Sequence, residues 1–257
     1  MSIYRGRFSA RTIVVTGAGS GIGRAVAMRL LEEGGRVVGV DIDAGRLSSL
    51  EQELRAVATP PPGDFIPVAG SAGDETTIGR VRAEVGAHAD GLANVAGIMD
   101  GFEPAAEIQN ETWDHVLEVN VSSLMRLTRA LLPEMLRHGG GSIVNVSSEA
   151  AQRGSAAGTP YTTSKFAVNG FTLSTAFFYS PHGIRCNAVA PGPVLTNIDA
   201  RFHSEHARAR LSPLLATNVP PPAQPEEVAA AICWLLSDDA SNVSGAILPV
   251  DGGWAAV

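Results

Sequence analysis

The most constraining feature of this chain is a rhythm. Short runs rich in Val and Ile alternate with longer amphipathic stretches from near the N-terminus to the end. The runs fall at residues 12–16, 36–40, 65–68, 91–95, 142–146, 185–190 and 246–250. Continuous apolar runs of this length read as strands buried on both faces. Helical spacing of apolar residues marks 23–33, 44–56, 75–85, 112–137, 161–179 and 226–236. Strands that alternate with helices form βαβ units, so the expected fold is α/β: a doubly wound parallel sheet in a three-layer α/β/α sandwich.

Two segments interrupt the rhythm. Thr59 begins a Pro-Pro-Pro-Gly turn ahead of the third strand, and residues 196–224 are polar, with another Pro-Pro-Pro run. The second is long for a connection and reads as a lid over a site. No internal repeat or dividing linker is visible, so residues 1–257 read as one domain. The net charge of −7 argues against a nucleic-acid or anionic-membrane partner, both of which attract Lys and Arg. No stretch reaches the roughly 18 apolar residues of a membrane span, and the apolar run at 12–16 is too short for a secretion signal. Cys186 and Cys233 are far apart in sequence without clustered His, so no metal site or disulfide framework is expected; buried free thiols fit a cytoplasmic location.

The first strand runs directly into Thr16-Gly17-Ala18-Gly19-Ser20-Gly21-Ile22-Gly23. A turn lined by Gly17, Gly19, Ser20, Gly21, Ile22 and Gly23 lets a dinucleotide pyrophosphate approach backbone and the N-terminus of the next helix. Such a turn alone is also an ordinary strand-to-helix connection. Here the strand before and the helix after both fit, which makes a Rossmann-type cofactor domain the expectation. About twenty residues on, the second strand ends at Asp41, followed by Ile42 and not by Arg. A carboxylate there accepts from adenosine ribose hydroxyls and repels a 2′-phosphate, so NAD(H) is expected over NADP(H).

Tyr161-Thr162-Thr163-Ser164-Lys165 places a phenol and an ammonium four residues apart, on one helix face. A phenol ionises near pH 10, too high for a base at neutral pH, and a neighbouring ammonium should lower that value. The spacing also occurs in surface pairs. Context decides: Ser147-Ser148 follows the fifth strand, with Ser148 thirteen residues before Tyr161, and Asn120 sits inside a helical stretch where Asn is disfavoured.

The spacing TGxxxGxG, then Asn94-Val95-Ala96-Gly97, Ser148, the Tyr161–Lys165 pair and Pro191-Gly192-Pro193-Val194-Leu195-Thr196 together resemble the short-chain dehydrogenase/reductase family from about residue 12 to 254. The resemblance implies hydride transfer between a nicotinamide and a carbonyl or carbinol carbon. It implies that Tyr161 is the acid/base, Ser148 holds the substrate oxygen, Lys165 holds the nicotinamide ribose, and Asn120 helps to hold a water linked to Lys165. It further implies that Asn94, Ala96 and Gly97 line the cofactor groove, and that Pro191, Gly192, Val194 and Thr196 hold the carboxamide. The chain departs from the family where many members carry an adenine-facing Asp after the third strand. Ser71 aligns with that position, which leaves Ser71 and Ala72 as the adenine contacts.

The function expected is therefore an NAD(H)-dependent oxidoreductase acting on a secondary alcohol or ketone. A 3-oxoacyl-[acyl-carrier-protein] reductase shares every motif, and a non-catalytic NAD-binding protein is the remaining alternative. Ile98, Met99, Glu149, Arg153 and Phe202 are candidate substrate contacts, with a small alcohol or ketone as the partner. The two long helices 112–137 and 161–179 carry more apolar surface than one sheet face needs, so a homotetramer is expected.

Overall fold

A computed structural model describes residues 6–56 and 60–256; Thr59 of the expected proline turn lies outside the described residues. Seven parallel strands form one sheet in the order β3-β2-β1-β4-β5-β6-β7. They are β1 (Thr12–Thr16), β2 (Arg36–Asp41), β3 (Asp64–Ala69), β4 (Gly91–Asn94), β5 (Gly141–Val146), β6 (Ile184–Pro191) and β7 (Ile247–Val250). The central strands are buried almost throughout, as their unbroken Val and Ile runs require. Pro67 and Pro249 lie in β3 and β7, the two edge strands, where a missing N–H leaves no ladder bond unmade.

Two apolar cores flank the sheet. On one face α1 (Gly21–Glu32), α2 (Ala44–Ala56) and α8 (Pro225–Leu236) contribute Val26, Leu30, Leu31, Leu50, Ile232 and Leu235. On the other, α3 (Glu75–Val85), α5 (Ser123–His138) and α6 (Thr159–Tyr179) contribute Ile78, Val81, Leu127, Leu131, Met135 and Ala176. The three-layer, doubly wound Rossmann-type architecture read from the sequence is the one observed. Both thiols are free and buried, and burial pushes each up to about 12. Among the described residues no helix is long and apolar enough to cross a membrane.

Two elements differ from expectation. The stretch 112–137 is not one helix: α4 (Asn110–Leu117) is joined to α5 by a π-helical turn, Glu118–Ser122. Such wide turns gather at functional sites, and this one carries Asn120. The 196–224 segment holds a further helix, α7 (Glu205–Asn218), whose start is capped by the Ser204 hydroxyl accepting from the Ala207 N–H at 3.0 Å.

Candidate active site

The strand order reverses between β1 and β4, and ligands of open α/β sheets bind at the carboxyl ends of strands flanking such a switch. A cleft of about 510 Å³ opens there. Its floor is the glycine-rich turn. Gly17 adopts a φ of 69°, and a Cβ on it would lie 3.2 Å from the Ala96 Cα. A Cβ on Gly23 would collide with the Gly17 carbonyl oxygen, so the first turn of α1 closes on the strand end only as glycine. The Thr16 hydroxyl fixes the facing wall by accepting from the N–H groups of Val95 (2.9 Å) and Ala96 (3.1 Å). Ser20, Gly21, Ile22, Ala96 and Gly97 line the cleft as expected. Sequence reading passed over Thr16, although its place at the end of β1 was visible.

Asp41 stands buried at the end of β2, lining the same cleft. Its Oδ2 accepts from the Gly19 N–H at 2.9 Å and its Oδ1 from the Asp43 N–H at 3.0 Å, so the carboxylate is locked in orientation with lone pairs to spare. A Cβ on Gly19 would sit 2.9 Å from that Oδ2. Arg46 is turned onto Asp43, Nε to Oδ2 at 3.3 Å. Ser71 and Ala72 line the cleft beside Asp41. The nearby Asp74 is committed to capping α3, accepting from the Thr77 N–H at 2.9 Å. The glycine cradle, the fixed carboxylate and the open switch-point cleft fit a nicotinamide dinucleotide.

Asn94 sits below this wall. Its amide donates to Asn145 Oδ1 (2.9 Å) and Thr128 Oγ1 (3.1 Å), which ties β4 to β5 and α5. At the far side, Pro191 ends β6, Gly192 donates to the Val250 carbonyl (3.2 Å), and Val194 bridges to Ala223. The Thr196 side chain stands 3.1 Å from where a Gly21 Cβ would be, so this segment closes over the glycine turn.

The polar side chains of the remaining motif gather next to the cleft. Tyr161 and Lys165 lie in the first turns of α6, and both are buried. Lys165 Nζ donates to the Val146 carbonyl at 2.9 Å and stands 5.4 Å from the centre of the Tyr161 ring. The expected lowering of the phenol by this ammonium is not found in the protein alone. Burial disfavours both charged forms: it pushes Tyr161 up to about 12, against the pull of the Ser148 hydroxyl, and drops Lys165 to about 8. Ser147 is engaged elsewhere, donating to Asn169 Oδ1 at 2.6 Å, whereas the Ser148 oxygen accepts the Ala150 N–H at 3.1 Å and its hydroxyl faces the Tyr161 phenol. Asn120 grips the backbone of Ile98 both ways: its Nδ2 donates to the carbonyl and its Oδ1 accepts from the N–H, each at 2.9 Å. The π turn gives Asn120 this reach, and Nδ2 also contacts Ser164 Oγ at 3.1 Å.

Of the candidate substrate contacts, Ile98 and Met99 line the cleft. Met99 joins two apolar clusters, one with Tyr161, Ala150 and Ala157, the other with Phe102, Phe202 and Leu211. Phe202 stacks on Phe102 at 4.3 Å. Glu149 and Arg153 are placed differently. Glu149 is fully buried and paired with Arg153 Nε at 2.5 Å, and Arg153 also donates to the Trp254 carbonyl. This ion pair ties the end of β5 to the C-terminal turn; burial pushes the Glu149 carboxyl above its usual range, against the pull of Arg153. Away from the cleft, His88, Asp90 and His138 bring ligand-type atoms within 4.8 Å of one another. The two imidazoles are stacked at 3.5 Å and 10°, so one ion cannot lie in both ring planes as they stand.

Comparison with known proteins agrees with this geometry. The family described as short chain dehydrogenase matches residues 11–207. A short-chain dehydrogenase/reductase, cdmF, of Talaromyces verruculosus is 36% identical over 95% of this chain and 97% of its own. A 3β-hydroxysteroid dehydrogenase 2 of Eggerthella lenta is 36% identical over 96% and 95%. Among solved structures, a levodione reductase superposes with a TM-score of 0.87 at 30% identity, covering 97% of this chain and 99% of that one. A 3-oxoacyl-[acyl-carrier protein] reductase with bound NAD from Brucella melitensis gives 0.84 at 30%, covering 98% and 93%. The chain belongs to the short-chain dehydrogenase/reductase family and is an oxidoreductase acting on CH–OH groups.

Proposed function

We propose that this protein is an NAD(H)-dependent oxidoreductase interconverting a secondary alcohol and a ketone, with Tyr161 as acid and base. The observation that carries the reading is the convergence of Ser148, Tyr161 and Lys165 next to a glycine-floored cleft. The substrate oxygen rests between the hydroxyls of Ser148 and Tyr161. In reduction, the Tyr161 hydroxyl gives its proton to that oxygen as negative charge develops; in oxidation the Tyr161 phenolate takes the alcohol's proton. Bound nicotinamide dinucleotide supplies or accepts the hydride. A phenol is protonated at neutral pH, and burial raises this one further, to about 12, so the unliganded site is set as an acid. General acid–base catalysis of this kind contributes about 10²–10⁴-fold.

Asp41 supports NAD(H) over NADP(H). Its charge is fixed in the cleft by two backbone N–H groups, and a 2′-phosphate would lie against it. Like charges about 4 Å apart cost on the order of 4 kcal/mol at a surface-like dielectric, and a third of that gives about tenfold discrimination. Measuring kcat/KM for both cofactors on one substrate tests this: NAD should be favoured, Asp41→Ala should shrink the ratio about tenfold, and a wild-type ratio favouring NADP would sink the assignment.

The walls around Tyr161 are Met99, Ala150, Ala157 and, beyond them, Phe102 and Phe202, which favours an apolar carbon skeleton. The likeness to a 3β-hydroxysteroid dehydrogenase points the same way. Residues 1–257 act as one domain, with 196–224 as the lid. Association into a homotetramer is supported by α6, where Phe166, Leu173 and Phe177 share one face and are 50%, 51% and 75% exposed. A sedimenting monomer at micromolar concentration would rule that out. The two free, buried thiols support a reducing, cytoplasmic setting.

A further inference from the structure

The helix that carries Tyr161 and Lys165 starts behind Gly158, which has no side chain to cap it. The first N–H groups of a helix need acceptors from outside the helix. Here they come from a turn just after β4. Asp100, 2% exposed, accepts the Tyr161 N–H on Oδ2 at 2.9 Å and the Phe102 N–H on Oδ1 at 2.9 Å. The next acceptor is the Glu103 carbonyl, which takes the Thr159 N–H at 2.8 Å. A Cβ on Gly158 would collide with both Asp100 Oδ2 and the Glu103 nitrogen, so the two segments close only with glycine there.

The same turn seats the lid. Gly101 accepts the His203 N–H at 2.9 Å, and Phe102 stacks on Phe202. Gly101 and Phe102 have φ values of 65° and 59°. For a bulky aromatic residue that left-handed conformation is sparsely populated and persists only where its surroundings hold it. Among the described residues Asp100 has no cationic partner, so its burial is compensated by backbone N–H donors alone.

We propose that Asp100 is a positioning residue for Tyr161, which by holding the start of the catalytic helix on one oxygen and the Phe102 turn that seats the lid on the other makes lid seating and phenol placement a single event. The proposal rests on the reading of Tyr161 as the acid/base. Asp100 also acts on the phenol through its charge, which adds to the rise caused by burial. The ionisable groups facing that phenol are Asp100 and, on the same helix, Lys165, with the Ser148 hydroxyl beside them.

Two measurements on the full chain test this. Hydrogen–deuterium exchange on the unliganded protein needs no turnover. Asp100→Asn should speed exchange at 159–162 and across 199–211 together, by about tenfold or more, with α1 and α8 unchanged. With saturating cofactor the same variant should lose about ten- to a hundredfold in kcat, keep the cofactor KM within about twofold, and shift the oxidation pH profile to lower pH. Phe102→Ala, which keeps the Asp100 charge, should loosen 199–211 while leaving that profile in place. In Asp100→Asn, loosening of one segment without the other overturns the proposal. So does an unchanged kcat and pH profile, or exchange that rises through the whole domain. If Asp100→Asn does not fold, Asp100→Glu is measured instead, with loosening at both segments expected and stiffness at either contradicting it. A wild-type chain inactive on every alcohol and ketone would sink the functional reading and leave the exchange data to judge the coupling.

Discussion

The two halves of the cleft are built on different physics. The cofactor half is set by backbone: Gly19 and Gly23 stand where a Cβ would strike Asp41 or the Gly17 carbonyl, and Gly17 holds a left-handed φ of 69°. The proposed substrate side is set by side chains: Met99, which lines the cleft, packs with Phe102, Phe202 and Leu211 behind it as an apolar patch. A wall of the first kind admits one residue type and one shape of ligand. A wall of the second kind is interchangeable, because apolar residues of similar volume repack at small cost. One fold can therefore keep its cofactor while its substrate changes.

The contrast fails if the two halves respond alike to substitution. Gly23→Ala should have the largest effect. Its methyl group has no space at the Gly17 carbonyl, so NADH binding measured by fluorescence titration should be lost, and near-native affinity would show that the floor tolerates bulk.

Lys165, between the halves, comes next. Burial lowers it from 10.5 to about 8, a cost to folding of as much as ~3 kcal/mol at pH 7. Between pH 8 and 10.5 the unfolded chain binds more protons than the folded one, so this component of stability rises with pH across that window. Lys165→Met should therefore stabilise the unliganded protein at pH 7, with the gain shrinking toward pH 10, while turnover is lost. Urea unfolding at the two pH values checks it; a variant less stable at both would contradict the burial argument. Tyr161, raised to about 12, acts in the opposite sense above pH 10, where the unfolded chain loses its proton first.

Phe202→Ala should have the smallest effect. It removes one face of the stack with Phe102, and a rise of a few-fold in the substrate KM with an unchanged cofactor KM is expected. A change in cofactor KM of the same size would mean the halves are not separable.

This division also explains what could be read from the chain. The glycine turn and Asp41 were legible because backbone geometry dictates residue type at those positions. Asn120 was legible as an anomaly inside a helical pattern, but the π turn that gives it reach has no sequence signature beyond that. Helix α7 was missed because Pro213 and the flanking proline runs blur the pattern of 205–218, although Ser204 followed by Glu205 marks a helix start. Glu149 and Arg153 read as pocket residues since they follow Ser148; their partner at Trp254 lies far along the chain and only the fold brings it near. Asp100 carries no periodicity, and the Asp-Gly pair it begins signals a turn without revealing what the carboxylate holds.

The central claim is that Tyr161 moves the proton while the cofactor half binds independently of it. A single-turnover experiment with NADH and a ketone that the wild type reduces tests this directly. For Tyr161→Phe the account predicts NADH affinity within about threefold of wild type and a hydride-transfer rate lower by about a hundredfold or more. A near-native rate with intact NADH binding would contradict it.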